Sequence, residues 1–523
     1  MKKSLLLIIV CLQCVLSFSN EKHWRTHFSY NSVQQIAMDP YEVYVLANGK
    51  MFSVNQQTEN MTLYTNFSGL HGTEIVQIAY DETRKQLLML YADGKMDIMQ
   101  NNYMYYISDL YNKQMTSSKK CNNITIHNDI AYLSMEFGIL TFDLNVHEFV
   151  DTYYIGPEAE EVAVYDVMLH GDSIYAQTVS SIYAAHIQDN IVDFRYWHIC
   201  SKAPIPFDTK KGKEYISANG NVWKVAGNQG LKCEYTTGET QYYLPDGPQI
   251  NIPNKIKVYH DKLYMLPGGR WDVQENKPGH IMIYQNGKWT NITNATIEQI
   301  TKKKALDFMD VSVDPLDSSH FFVTSYGTGL YEFRNNILQA HYTPHNTILG
   351  SAAPNSPDFY TRVSSSTFDT ENRLWVTVDG GMDNSLVCFL PDGTQQGINC
   401  YTDPSTRFYF NTSADLLVDA VQPQRKWMVS CRSIPAIVLL DDGGTSFDTS
   451  DDLCKVRSEF YDQDGSVIVP EYYYTLTQAP NGDIWIGSSI GPIIIPQSIN
   501  MLTSNQCIRL RISMNDGTNF LDT

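Results

Sequence analysis

One hydrophobic pattern recurs along most of this chain. A short apolar run with an aromatic residue near its centre precedes a Gly or Asn/Asp-Gly turn, and a second apolar run follows, as in Val43–Val54 with its Asn48-Gly49 turn. This pattern predicts a β-hairpin, because Asn-Gly readily adopts the positive φ angles of a two-residue turn. The ten hairpins predicted in this way are Val43–Val54, Leu87–Gly94, Ala131–Leu140, Ile174–Tyr183, Val222–Leu231, Leu263–Tyr284, Phe321–Tyr331, Leu374–Val387, Trp427–Val438 and Ile484–Ile495.

The spacing of these hairpins predicts the fold class. Their centres are separated by roughly 41 to 58 residues, and repeats of about 40 to 50 residues with several short strands are typical of β-propellers, in which each repeat is a four-stranded blade. A β-solenoid is the main alternative, but its repeat is about half as long. We therefore predict an all-β fold of tandem β-propellers, with Trp375, Trp427 and Trp485 packed between blades.

Ten repeats are more than one ring usually holds, so the sequence predicts two propellers. A sevenfold first ring would occupy residues 24–340, and residues 341–523 would form a second, incomplete ring. The stretch Arg509–Gly517 has the form of another repeat that is just beginning. Either the chain is truncated or segments assigned elsewhere close the second ring, and a nested arrangement of the two rings remains open.

The N-terminus has the features of a secretory signal. Lys2 and Lys3 precede the apolar run Leu5–Leu16, and small residues precede Asn20, so residues 1–19 are predicted to be a cleaved signal peptide. The apolar run is too short for a membrane anchor, and Gln13 makes lipidation of Cys14 a poor fit. We expect an exported protein at the cell surface, associated with the outer membrane, or in the periplasm, with no transmembrane segment in the mature chain.

Charge and cysteine content narrow the possible partners. The chain has 38 Lys+Arg and 57 Asp+Glu, a formal net charge of −19, which argues against a partner that is nucleic acid.

Eight cysteines follow the predicted signal, with Cys388 and Cys400 the closest pair. They are too sparse for a disulfide scaffold, so we expect mostly buried thiols with one or two bridges at most. The connectivity remains open.

Two sets of residues resemble a known family. Trp24–Ser32 and Val43–Val54 resemble the N-terminal propeller of PorZ proteins, surface components of the type IX secretion system of Bacteroidetes. The repeats at Asn372–Val376 and Gly482–Gly487 resemble those of the wider two-component regulator propeller family. The resemblance covers nearly the whole mature chain and implies two sevenfold propellers followed by a C-terminal β-sandwich, which would fall beyond Thr523.

The same resemblance implies a function. PorZ proteins act without catalysis beside the PorU sortase and bind anionic lipopolysaccharide for delivery to secreted cargo. No local motif for that binding is recognisable in this sequence, so the ligand-binding residues are unknown at this stage.

The sequence also contains no familiar catalytic signature. It lacks Gly-x-Ser-x-Gly, His-Glu-x-x-His and a phosphate-binding Gly-rich loop ending in Lys-Ser/Thr, so we predict no enzymatic activity, no cofactor and no metal site. Asp462–Gly465 resembles the start of a calcium loop, but Tyr473 stands where that loop requires Glu. Asp379–Gly381 and Asp441–Gly444 are predicted to be turns.

Three further segments are candidates for ligand contact. Lys210–Lys213 and Lys302–Lys304 are small basic islands where a phosphate or acidic glycan could bind, although exposed loops have the same composition. Tyr472–Tyr474 could stack on sugar rings, but packing within a Tyr-rich β protein is the simpler interpretation.

Taken together, these features predict an exported, non-catalytic binding platform that resembles PorZ, with loops presented on a rigid ring. One alternative is the periplasmic glycan-sensing region of a hybrid two-component regulator. Another is a carbohydrate-active enzyme on a propeller scaffold, which would require His, Tyr, Arg or paired carboxylates to converge in the channel.

Overall fold

The computed structural model describes residues 25–101, 103–270, 274–381, 384–398, 412–431, 434–445, 447–513 and 520–522. Four-stranded antiparallel sheets dominate these residues, so the prediction of an all-β fold of tandem propellers is confirmed. The predicted signal peptide, Trp24 and Cys400 lie outside the described residues. The chain divides into two compact units, Met1–Gly247 (unit 1) and Pro248–Thr523 (unit 2).

Unit 1 contains five blades, each built from four consecutive strands. Blade 1 comprises β1 (Val33–Met38), β2 (Glu42–Ala47), β3 (Lys50–Asn55) and β4 (Met61–Tyr64). Blade 2 comprises β5 (Ile75–Asp81), β6 (Gln86–Tyr91), β7 (Met96–Gln100) and β8 (Tyr103–Ile107). Blade 3 comprises β9 (Cys121–His127), β10 (Ile130–Met135), β11 (Gly138–Asp143) and β12 (Glu148–Tyr153). Blade 4 comprises β13 (Asp166–His170), β14 (Ser173–Gln177), β15 (Ile182–His186) and β16 (His198–Cys200). Blade 5 comprises β17 (Glu214–Ile216), β18 (Val222–Val225), β19 (Leu231–Glu234) and β20 (Thr240–Tyr243).

Unit 2 contains blades 6 to 10 and two short hairpins among its described residues. Blade 6 comprises β21 (Lys255–Tyr259), β22 (Lys262–Leu266), β23 (Ile281–Gln285) and β24 (Lys288–Ile292). Blade 7 comprises β25 (Phe308–Asp314), β26 (Asp317–Gly327), β27 (Gly329–Arg334) and β28 (Ile337–Tyr342). Blade 8 comprises β29 (Thr361–Phe368), β30 (Leu374–Asp379), β31 (Leu386–Phe389) and β32 (Gln395–Ile398). Blade 9 comprises β33 (Ser413–Val418), β34 (Arg425–Ser430), β35 (Ala436–Asp441) and β36 (Leu453–Arg457). Blade 10 comprises β39 (Tyr473–Gln478), β40 (Ile484–Ser488), β41 (Gly491–Ile495) and β42 (Ile508–Arg509). The two hairpins are β37 (Phe460–Tyr461) with β38 (Val467–Ile468), and β43 (Arg511–Ser513) with β44 (Phe520–Asp522).

Helices are short and lie in the connections between strands. The α-helices are Asp109–Asn112, Asn294–Thr301 and Pro357–Tyr360, and the 3-10 helices are Asn66–Ser68, Pro157–Ala159, Phe194–Tyr196 and Gly227–Gln229.

The ten predicted hairpins are the second and third strands of the ten blades. Local sequence was sufficient here because each hairpin carries its own turn signal. In the first, Asn48 and Gly49 have φ angles of 49° and 72°, the conformation that a two-residue hairpin needs and that Asn and Gly tolerate best.

Apolar side chains from facing sheets fill the space between neighbouring blades of unit 1. Separate buried clusters join blades 1 and 2, blades 2 and 3, and blades 3 and 4. A further cluster packs Trp223 and Leu231 of blade 5 against Val43 and Phe52 of blade 1. The last sheet of the unit thus packs on the first.

Unit 2 is packed by the same principle. Buried clusters join blades 6 and 7, 7 and 8, 8 and 9, and 9 and 10 in succession. Trp375 and Trp427 are almost fully buried in two of these clusters, which agrees with their predicted role in packing, and Trp485 is half-buried.

The structure divides the chain at Gly247 and Pro248 and groups blades 6 and 7 with the later blades. The first of these units includes the packing of blade 5 on blade 1, a long-range contact that a repeat count does not register. The division into one ring of residues 24–340 and a second of residues 341–523 stays a prediction.

The first strand of a blade is linked to that of the next blade by a side chain that follows a β-bulge. The residue after the bulge is Gln35, Gln77, Asp310 or Asp415 in four blades. Gln35 Oε1 accepts the N–H of Ile78 at 2.9 Å, and Asp415 Oδ2 accepts the N–H of Leu476 at 3.0 Å. A bulge interrupts the alternation of side chains between the two faces of the sheet. The side chain that follows the bulge can therefore point towards the neighbouring sheet.

Candidate functional site

The turns of blades 1, 2 and 5 surround an open cleft of about 660 Å³ in unit 1. One wall is the turn between β1 and β2, the opposite wall is the turn between β5 and β6, and Ser217 of blade 5 closes one end. The cleft is therefore formed by tight turns on rigid strands, the kind of surface on which propellers commonly present binding residues.

Asp39 organises the first wall. Its Oδ1 accepts the backbone N–H groups of Tyr41 and Glu42 at 2.7 and 2.6 Å, and its Oδ2 accepts the hydroxyl of Tyr44 at 2.9 Å. Blades 8 and 9 repeat this arrangement, because Asp369 and Asp419 accept the indole N–H of a Trp in the following strand. Asp39 and Tyr44 accordingly hold the turn in shape.

Aromatic rings supply the apolar surface of the cleft. Tyr41 is 64% exposed at the tip of its turn, and the rings of Tyr44 and Tyr80 lie 6.4 Å apart and nearly parallel. Burial, with a contribution from Asp39, raises the pKa of Tyr44 and of Tyr80. Both hydroxyls stay protonated at neutral pH.

Polar groups complete the lining. Gln56 is held by a hydrogen bond from its Nε2 to the carbonyl of Asp39 at 2.6 Å, while Glu82 and Lys85 are exposed on the second wall. Stacking faces beside amide, carboxylate and ammonium groups are the elements of sugar recognition. The arrangement can bind a polar ring and orient it by hydrogen bonds.

In the basic island Lys210–Lys213, Lys210 and Lys213 are exposed, whereas Lys211 contacts other blades. Lys211 Nζ lies 2.6 Å from Thr125 Oγ1 of blade 3 and 3.4 Å from Asp166 Oδ1 of blade 4. Its neighbour Gly212 accepts the N–H of Ile36 in blade 1. This loop therefore bridges three blades, and burial lowers the pKa of Lys211.

The second basic island is largely neutralised. Lys303 pairs with Asp358, and Lys304 Nζ lies 3.4 Å from Glu298 Oε2. Lys302 ends the helix Asn294–Thr301 with a φ of 58°. Two of its three charges already have carboxylate partners within unit 2.

The tyrosine run and the Asp-rich turns have structural contacts. Tyr473 is fully buried and its hydroxyl donates to the carbonyl of Ser458 at 3.2 Å, whereas Tyr474 is 42% exposed. Asp462 accepts the N–H groups of Asp464 and Ser466 and pairs with Arg511, as expected for a plain turn.

The other two Asp-Gly segments are not simple exposed turns. Asp442 is buried and pairs with the buried Lys426, which also lies 4.7 Å from the ring centroid of Trp375. Asp379 is the last residue of β30 and is fully buried. Sequence reasoning missed its environment because its neighbours come from other blades.

In the described part of the chain, no group of three or more His, Cys, Asp or Glu side chains is placed to hold a metal ion. No helix there is long and apolar enough to cross a bilayer.

Five of the cysteines are buried thiols, namely Cys121, Cys233, Cys388, Cys431 and Cys507. Burial raises their pKa, to about 12 for Cys121 and Cys388 and to about 11 for Cys233 and Cys507. They act as small packing residues at neutral pH. Cys400, the cysteine closest to Cys388 in the sequence, lies outside the described part of the chain.

Comparison with known proteins shows a likeness to one family. Residues 43–198 match the family model of the PorZ N-terminal β-propeller domain of the type IX secretion system. This chain is PorZ-like. The resemblance expected from Val43–Val54 is thereby confirmed, and the matched segment covers blades 1 to 3 and most of blade 4.

A solved structure extends the likeness to both units. PorZ of Porphyromonas gingivalis, described as an essential bacterial surface component of the type IX secretion system, is similar over 96% of this chain and 76% of its own. The TM-score is 0.81 and the sequence identity 21%, so the likeness concerns the fold.

More distant similarities involve signalling proteins of B. thetaiotaomicron. The extracellular domain of a putative one-component system covers 95% of this chain and 69% of its own, with TM-score 0.31 and 11% identity. That of a putative hybrid two-component system covers 94% and 72%, with TM-score 0.27 and 12% identity. No curated protein matches the sequence.

Proposed function

We propose that this protein is an exported, non-catalytic surface component of a type IX secretion system, and that the cleft of unit 1 contacts a glycan. The observation that carries the proposal is the match of residues 43–198 to the PorZ N-terminal propeller, supported by the PorZ-like fold of the whole chain. Its partners would be a PorU-type sortase and the anionic lipopolysaccharide that is delivered to secreted cargo.

The chemistry of the cleft suits a neutral sugar within such a glycan. Asp39 and Glu82 contribute two carboxylates against the single ammonium of Lys85, so the lining does not favour a phosphate or an acidic sugar. The exposed ring of Tyr41 offers a stacking face, and Gln56 and Lys85 offer hydrogen bonds. Acidic groups of the glycan would remain in solvent.

The secretion role is tested in the bacterium that encodes the protein. Deleting the gene should release type IX cargo from the cell surface and leave it without attached lipopolysaccharide, and the complete gene should restore both. Affinity capture of the tagged protein from outer membranes should recover a sortase. Normal surface attachment of cargo in the deletion strain would contradict the role.

The cleft is tested with purified protein and purified anionic lipopolysaccharide. Tyr41→Ala should weaken binding by about fivefold or more, since it removes a stacked ring without disturbing the hydrogen bonds of Asp39. Tyr242→Ala is the matched control, because Tyr242 is 46% exposed on β20 and does not line the cleft. Equal losses in the two variants would contradict a binding role for the cleft.

A further inference from the structure

A long strand in unit 2 brings aromatic and cationic side chains together. β26 has 11 residues and extends past blade 7 to pair with the start of β29 in blade 8, so that Tyr326 is directly opposite Arg362. Arg270 approaches from blade 6 after Gly268 and Gly269. A Cβ on Gly269 would lie 1.8 Å from Asp307 Oδ1, so only glycine permits this close path.

Two guanidinium groups lie against one ring. The guanidinium carbons of Arg270 and Arg362 are 4.8 and 4.9 Å from the ring centroid of Tyr326, and that of Arg362 is 5.5 Å from the centroid of Tyr360. Cation–π contacts fix the planes of both groups. They do not use the in-plane N–H donors, which remain available for a hydrogen-bond acceptor.

Several of these donors have no acceptor in the described structure. Arg270 is only 8% exposed, yet its Nε and Nη1 lack a hydrogen-bond partner among the described residues, as does the buried Nε of Arg362. A buried guanidinium without acceptors is costly, because its N–H groups have lost water and gained nothing in return. Two such groups against the ring of Tyr326 offer charged donors to a bound oxyanion.

The nearest carboxylate is an incomplete counterion. Asp379 Oδ2 lies 3.5 Å from Arg270 Nη1, beyond normal hydrogen-bond length, and already accepts the hydroxyl of Ser364 and the N–H of Ser413. Burial raises the pKa of Asp379, which further weakens its charge. One partly engaged carboxylate faces two guanidinium groups.

We propose that Arg270 and Arg362 bind one oxyanion, a phosphate or a carboxylate, of a ligand that enters beside Phe359 and Tyr360. These two aromatic residues, close to Arg362 in the sequence, are 47% and 38% exposed to solvent. Gln274 holds this rim in place through a 2.6 Å hydrogen bond from its Nε2 to the carbonyl of Phe359. The site is independent of the secretion role and of the cleft in unit 1.

Isothermal titration calorimetry of the full chain with sodium phosphate, sodium glucuronate and glucose, at constant ionic strength, tests the site. Phosphate or glucuronate should bind and glucose should not. Binding of phosphate alone or of glucuronate alone supports the site and identifies the preferred oxyanion. If neither anion binds, the proposal is overturned.

Variants locate the binding. Arg362→Gln should raise the Kd of the bound anion about tenfold or more, because a charge-assisted pair is lost. Arg270→Gln should do the same, and if it fails to fold, the half-buried Arg362 still provides the test. Arg334→Gln is the matched control, since Arg334 is a more exposed arginine paired with Asp317 in the same unit. An unchanged Kd in Arg362→Gln would overturn the proposal.

Discussion

Units 1 and 2 link their blades with the same backbone device but with different chemistry. In blades 1 and 2 of unit 1 the residues after the bulges are the neutral amides Gln35 and Gln77, whereas in blades 7 and 9 of unit 2 they are the carboxylates Asp310 and Asp415. Each reaches the first strand of the next blade. The geometry is conserved within the molecule while the charge is not.

The carboxylates of unit 2 are paired with lysines from blade 6. Lys257 Nζ lies 2.7 Å from Asp310 Oδ1, and Lys255 Nζ lies 3.4 Å from Asp415 Oδ1. Burial alone would raise the pKa of Asp415, but Lys255 and Lys257 and a hydrogen bond from Thr475 hold it below its usual value. Blade 6 is thereby tied to blades 7 and 9 by charge.

An amide and a carboxylate can accept the same N–H, but only the carboxylate needs a cation and responds to pH. The inner strands of unit 2 should therefore be sensitive to loss of a single charged group, and those of unit 1 should not. Four measurements test this contrast.

The largest effect is expected from Asp415→Ala. The variant leaves the N–H of Leu476 without its acceptor and Lys255 without its carboxylate, and breaking one side of a buried pair typically costs about 3–5 kcal/mol. Hydrogen exchange followed by mass spectrometry should show faster exchange throughout blades 9 and 10, with unit 1 unchanged.

Asp392→Ala controls for that experiment, because Asp392 lies in an exposed turn of unit 2 and accepts only the N–H of Thr394 among the described contacts. It should alter exchange only near its own turn. If Asp415→Ala behaves like Asp392→Ala, the charged link is not needed for the stability of unit 2.

A smaller loss is expected from Gln35→Ala in unit 1. The N–H of the buried Ile78 loses its acceptor, but no charge is left unpaired, so the cost should be about 1–2 kcal/mol. Chemical denaturation monitored by exchange in blades 1 and 2 measures it. The neighbouring Gln34 is exposed on the same strand, and Gln34→Ala should change stability by less than about 0.5 kcal/mol. A cost as large as that of Asp415→Ala would remove the distinction between the units.

The contrast also predicts a pH dependence of unit 2 between pH 7 and pH 5. Burial raises the pKa of Asp307 to about 6, against the effect of N–H donation from Lys277 and Asn276. Because the folded state binds this proton more tightly than the unfolded state, stability falls as pH rises through the folded pKa. Unit 2 should gain about 1 kcal/mol from Asp307 on going from pH 7 to pH 5.

Asp307→Asn should abolish this gain, which is measured as the difference in pH slope between the variant and the wild type. Asp415 has the opposite effect on the pH dependence of stability. Because its pKa in the folded state is below its usual value, its contribution to the stability of unit 2 is lost as pH falls through that folded pKa. Equal pH slopes for wild type and Asp307→Asn would show that Asp307 does not titrate in this way.

Sequence alone was sufficient for the blades but not for their grouping. Hairpins such as Val43–Val54 were predictable because the turn and its flanking strands are adjacent in sequence. The end of unit 1 depends on Trp223 packing against blade 1, a contact that no periodicity contains. Repeat counting therefore found the ten hairpins, whereas the grouping of the blades depends on contacts between residues that are far apart in the chain.

The site residues were hidden for a similar reason. Tyr41 lies in the turn between β1 and β2, and Tyr80 lies near the end of β5 in the next blade. Only the stacking of the blades brings them to the same cleft. Arg270 has Tyr326 and Asp379 as neighbours because β26 extends across two sheets. A visible signal did exist for three of the bulge residues, since Gln77, Asp310 and Asp415 each stand between two apolar residues at the start of a strand.

The smallest effect is expected from Lys211→Met. Lys211 is the lysine through which its loop contacts blades 3 and 4. Its two partners keep other hydrogen bonds without it, because Thr125 still donates to the carbonyl of Val167 and Asp166 still accepts from Asn123. The loss should stay below about 1 kcal/mol, with Lys213→Met as the exposed control from the same loop. Since burial lowers the pKa of Lys211, the unfolded state binds this proton more tightly, and wild-type stability should rise with pH in the alkaline range while that of Lys211→Met does not. A loss comparable to that of Asp415→Ala would mean that unit 1, too, depends on a buried charge.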